Sequence, residues 1–116
     1  MGNLLPEQAE SDASPETRAI YASLRQLCGV PMVPLIYRHL ATIPGALEWA
    51  WSLLGPALRA GQLQDSAWEM SRTMRIEPVV RLPVEAVRAL GVSAADLAEL
   101  HKLLAAYNRS NPVNLL

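Results

Sequence analysis

The 116-residue sequence predicts a single compact all-α domain of five or six helices over residues 14–116, preceded by a flexible N-terminal arm over residues 1–13. Three observations carry this prediction. Apolar residues recur three and four positions apart through most of the chain, the signature of one face of a helix. Serine, proline and glycine punctuate those periodic runs where helices begin and end. No stretch alternates apolar and polar residues as a half-buried strand does, and there is no internal repeat or low-complexity segment.

The arm, MGNLLPEQAESDA, is polar and acidic. Ser14 before Pro15 and Glu16 opens the first helix, since a proline at the first helical position lacks only a donor that would have no partner there. Thr17, Ile20, Tyr21, Leu24, Leu27 and Cys28 share a face of it, and Gly29 ends it. Pro31 and Pro34 bracket a turn into a short helix, about Leu35 to Ala41, with Ile36, Tyr37 and Leu40 inward and Arg38 on a more polar side. Thr42 and Pro44 start the central helix, in which Pro56 removes one backbone donor and should impose a kink. Its polar strip is narrow, Glu48, Ser52, Gly55 and Arg59, so a helix apolar around most of its circumference is expected to be surrounded by protein, a second copy of the chain included.

Gly61 closes the central helix, and Asp65 with Ser66 caps a fourth, about Ala67 to Arg75. The stretch IEPVVRLP, with two prolines in eight residues, reads as an extended loop whose valines pack on something. Pro83 begins a short helix that ends at Gly91. Ser93 and Asp96 then form a capping-box-like start for the last helix, whose core face is Leu97, Leu100, Leu103, Leu104 and Tyr107. That helix is expected to end at the asparagines of YNRSNPVNLL, where Asn108 and Asn111 resemble C-terminal caps.

Composition narrows the function classes. A formal net charge of −1 without blocks of like charge leaves no electrostatic footprint for nucleic acid or an anionic membrane. Cys28 is the only cysteine, which excludes an internal disulfide and fits a reducing compartment. Met1 to Gln8 does not read as a signal peptide, and no apolar run approaches the roughly 18 residues of a membrane span, so a cytoplasmic protein is expected. His39 and His101 stand apart from any cysteine or acidic cluster, so no metal site is expected. The scattered glycines form no phosphate loop, and no serine sits in a GxSxG context. Glu48 is the one carboxylate on an otherwise apolar helix. Burial would make it a candidate general base, whereas pairing with Arg38 or Arg59 would make it structural. Trp49 and Trp51 lie roughly 200° apart on a helix, so Trp49 faces a groove or a second subunit if Trp51 is core.

Three segments, YASLRQLCGVP, RHLATIPGALEWAW and LLAAYNRSNPVNLL, together resemble the non-stereospecific, all-helical 2-haloacid dehalogenases of group I. The likeness is most specific at LATIPG and YNxxNP and weakest between Gln62 and Pro83. In that family two such repeats pack as a pseudo-two-fold pair around the active site, and this chain is similar to the first repeat, so the resemblance implies a homodimer. It also implies water attack on a short 2-halocarboxylate, without metal, cofactor or ester intermediate. The family's water-holding asparagine matches Asn111, and its pocket lining matches Met32 and Leu35, aliphatic here where the family has aromatic side chains. Its catalytic aspartate falls on Ile36.

Two functions follow as expectations. One is a hydrolase of a small carboxylic acid in an inter-subunit pocket, with Asn111 orienting water, Glu48 or another group as base, and Met32, Leu35, Ile36 and Tyr107 against the substrate. The other is a non-catalytic small-ligand-binding or structural homodimer. An alkylhydroperoxidase-like redox role lacks its second cysteine.

Overall fold

The computed structural model describes residues 5–116, in which six α-helices and one 3-10 turn account for the regular structure. Helix α1 (Pro15–Cys28) starts at Ser14, whose Oγ accepts the Thr17 N–H at 3.2 Å, and ends at Gly29, left-handed at φ +63°. Its buried residues Ile20, Tyr21, Leu24 and Cys28 follow the helical period, as expected. Helix α2 (Leu35–Leu40) is short and buries Tyr37. Helix α3 (Ala46–Arg59) packs on α1, α2 and α4 (Gln62–Thr73), while α6 (Ala94–Leu115) packs on α4 and α1. Tyr21, Leu24, Val33, Leu47 and Leu58 are sealed in the core where these helices meet. Helix α5 (Val84–Ala89) buries nothing.

Several boundaries differ from the sequence expectation, each for a local reason. Residues 41–45 form turns, and α3 starts after Gly45 at φ +76°, so Thr42 and Pro44 lie ahead of the helix. A left-handed Gly61 at φ +77° restarts the chain almost at once, and α4 begins at Gln62 instead of near Asp65. Helix α3 continues through Pro56. Within one chain it is not surrounded: Leu47, Ala50, Gly55 and Leu58 face the core, while Trp49 and Leu53 are exposed. Trp51 is half-buried, with the Arg59 guanidinium 5.3 Å from its ring centre. A Cβ on Gly55 would lie 3.1 Å from the Trp51 ring, so the small residue makes room for that stack.

The largest correction concerns the C-terminus. Helix α6 does not stop at Asn108 or Asn111 but runs to Leu115 with Pro112 inside it. Tertiary contacts outweigh the local stop signals. Val113 is buried, Arg109 Nε donates to the Gly29 carbonyl at 3.0 Å, and Tyr37 Oη donates to Asn114 Oδ1 at 3.2 Å. The N-terminal arm also behaves otherwise than expected over its described part, since residues 5–13 are laid along α1 and α2. Gln8 N–H donates to the Arg38 carbonyl at 2.9 Å, and Tyr21 Oη to the Gln8 carbonyl at 3.1 Å. His39 Nδ1 meets the Pro6 carbonyl at 2.8 Å, and Glu7 and Glu10 pair with Arg38 and Arg25. Residues 1–4 of the expected arm lie outside the described residues.

The segment from Arg72 to Ala105 projects from the rest. Between Arg72 and Ala105 only Val87, Val92 and Leu97 are even half-buried. The radius of gyration is 17.2 Å, against ~13 Å for a compact domain of this length. No helix among the described residues is long and apolar enough to cross a membrane.

Candidate functional site

The turn Val30–Pro34 forms one wall of a cavity of about 390 Å³. Two prolines restrict that turn, and the N-terminal strap, residues 5–13, holds it in place, because Glu10 Oε1 accepts the Val33 N–H at 2.8 Å while Val33 itself is fully buried. Arg38 Nε then donates to the Val33 carbonyl at 3.0 Å, and its guanidinium also pairs with Glu7. Met32, Leu35 and Ile36 turn outward from this braced segment and are all exposed at the cavity.

The opposite wall is the C-terminal half of α6. Leu103, Tyr107, Asn111 and Asn114 recur at four, four and three positions, so they stand on one stripe of the helix, with Ala106 and Ser110 beside them. The Tyr37–Asn114 hydrogen bond ties the two walls together. Burial holds the Tyr37 phenol above its ordinary range, so it stays protonated and able to donate there.

Five of the six site residues expected from the sequence therefore meet in one cavity: Met32, Leu35, Ile36, Tyr107 and Asn111. Glu48 is not among them. It is exposed in the first turn of α3, because Leu47 and Ala50 on either side take the core-facing positions and rotate it to solvent. Neither expected partner pairs with it, since Arg38 is held by Glu7 and Arg59 lies over Trp51. A carboxylate at a helix N-terminus has a sufficient structural role in the helix dipole.

Arg38, Ser110 and Asn114 belong to the cavity and were not picked out as site residues from the sequence. For Ser110 and Asn114 a signal existed in the spacing that continues the stripe of Leu103 and Tyr107, but it is visible only if the helix is carried past Asn108. Among the described residues, the cavity's polar side chains are Arg38, Ser110, the two asparagine amides and the Tyr107 phenol, with no carboxylate or imidazole among them. A water there would find hydrogen-bond partners but no side chain suited to take its proton at neutral pH.

A second cavity, about 490 Å³, opens between the end of α1, α4 and α6. Gln64 sits in its wall, and Nε2 donates to the Leu27 and Leu58 carbonyls at 3.2 and 2.9 Å, which binds α4 to the ends of α1 and α3. Cys28 also lines it, with a thiol that burial holds above its ordinary range. Among the described residues no group of three histidine, cysteine or acidic side chains could hold a metal ion. Comparison with protein-family models, curated proteins and solved structures gave no match.

Proposed function

We propose that this chain binds a small carboxylic acid in the cavity between α2 and α6, and does not hydrolyse it. The observation that carries the reading is the cavity's chemistry: among the described residues Arg38 is its only charged side chain, and an apolar rim of Met32, Leu35 and Ile36 faces polar groups on α6. Among the described residues, Arg38 uses Nε on Val33 and one amino group on Glu7, so the other amino group keeps donors for a carboxylate. The rim takes a short alkyl or halogenated group, and Asn111 and Asn114 supply the amides that orient it. In the resemblance to the group I dehalogenases, Ile36 occupies the place of the water-activating aspartate. Its position at the cavity rim supports a scaffold that keeps the pocket without the base.

Calorimetric titration with both enantiomers of 2-chloropropanoate, with halide release followed in parallel, tests the reading. Saturable binding without halide release is expected, with affinity lowered about fivefold by Asn111→Ala through loss of one hydrogen bond. Absence of binding would refute the proposal, and halide release by the unaltered chain would refute its non-catalytic half. An Ile36→Asp variant that releases halide would favour descent from the hydrolytic frame.

A further inference from the structure

The projecting segment, residues 74–105, gives the ligand cavity only Leu103, and its surface is the least expected for a chain of this size. Every residue from Arg72 to Ala86 is exposed, including Met74, Ile76, Val79, Val80, Leu82 and Val84. The valines that the sequence predicts to be packed lie on nothing in their own chain: Val80 is 90% exposed and Leu82 74%. Helix α6 continues the pattern, since Leu100, Leu103 and Leu104, its expected core face, are exposed as well. The chain presents 8647 Å² of accessible surface, whereas a compact monomer of 12.7 kDa presents about 6,200 Å². The excess is well above the roughly 800 Å² per partner that a stable interface buries.

We infer that residues 74–105 form the interface of an obligate homodimer, in which each copy's arm lies on the other copy and closes the mouth of the cavity between α2 and α6. Three features select a second copy as the occupant. The excess area matches that of an obligate dimer, whose subunits fold around each other. The charges of the arm balance within it, Arg75, Arg81, Arg88 and Lys102 against Glu77, Glu85, Asp96 and Glu99, so two arms meet without net repulsion, whereas a nucleic acid or an acidic partner would call for a basic excess. The apolar stripe is also continuous with the cavity, because Leu103 belongs to both and Tyr107, one turn further along the helix, lines the cavity and is exposed. This interface differs from the one the sequence favours, which would use Trp49 on the central helix. It stands independently of whether the cavity binds an acid.

Light scattering of the unaltered chain at micromolar concentration is expected to give twice the 12.7 kDa chain mass, with a urea midpoint that rises with chain concentration. The decisive variant is Val80→Asp with Leu82→Asp. Inside one copy these side chains are open to solvent, so a monomer would be indifferent to the change. The dimer should dissociate, its dissociation constant rising on the order of a hundredfold. Unfolding of the variant would also support the inference, since only a second copy covers these positions. Trp49→Lys should leave the dimer intact. A monomeric unaltered chain, a double variant as dimeric and stable as the original, or dissociation by Trp49→Lys in its place would each overturn the inference.

Discussion

Glu10 shows how much a single side chain outside any long helix can organise. Its carboxylate accepts the Val33 N–H and pairs with Arg25, so it joins the strap, α1 and the turn that walls the cavity. Val33 is fully buried while the Arg25 side chain is partly exposed, so the bond from the buried Val33 N–H to a charged acceptor carries most of the effect, about 1.5–3 kcal/mol. Glu10→Ala is therefore expected to lower stability by about 2 kcal/mol, read as a shift of the urea midpoint at constant slope. Tyr37→Phe removes one neutral bond to Asn114 and should cost about 1 kcal/mol, measured in the same way. The sequence marked Tyr37 as inward but offered no partner for its hydroxyl, because Asn114 is 77 residues away along the chain. It also gave no sign that Glu10 was more than part of an acidic arm. Hydrophobic periodicity identifies faces of helices, whereas a polar contact between distant segments leaves no periodic trace.

At the scale of elements, agreement was closest where local chemistry is strongest. Ser14 with Pro15 and Ser93 with Asp96 open α1 and α6 where expected, and the second pair forms a full capping box, Asp96 N–H to Ser93 Oγ at 3.1 Å and Ser93 N–H to Asp96 Oδ2 at 3.1 Å. Those bonds to Ser93 hold the Asp96 carboxyl below its usual range. Ser93→Ala should cost about 1 kcal/mol, checked by thermal unfolding. The exposed end of α6 should fray as pH falls through the depressed Asp96 range, because protonation removes the charged acceptor. The end of α6 was misread because Asn108, Asn111 and Pro112 are all ordinary stop signals. Pro112 removes one backbone donor inside the helix, yet Val113, Arg109 and Asn114 each find partners on other elements, and their contacts continue the helix past it. The start of α4 was misplaced for a similar reason, since a left-handed glycine reverses the chain within two residues.

At the scale of the whole molecule, stability depends on groups that the core keeps protonated. Burial raises the Tyr21 and Tyr37 phenols and the Cys28 thiol above their ordinary values. The folded chain therefore retains protons that the unfolded chain releases, and the stability present at neutral pH falls as pH rises through the thiol range and then the phenol range. Urea midpoints measured from pH 8 upward should fall above roughly pH 9, and Tyr37→Phe should flatten part of that fall. The same burial should keep Cys28 slow toward thiol reagents until the chain unfolds. Fold class and most helices could be read from the chain, because helical period and end signals are properties of neighbouring residues. Met32, Leu35, Ile36 and Asn111, by contrast, were singled out by the family resemblance, and together with Tyr107 they are five of the cavity's fourteen lining residues. Glu48 was lost as a site residue, the strap was docked, α6 was extended and the arm at residues 74–105 was left uncovered only once the helices were packed together. Which apolar face finds a partner, and which is left for another molecule, depends on how the helices fit against one another, and that is not encoded in any single window of residues.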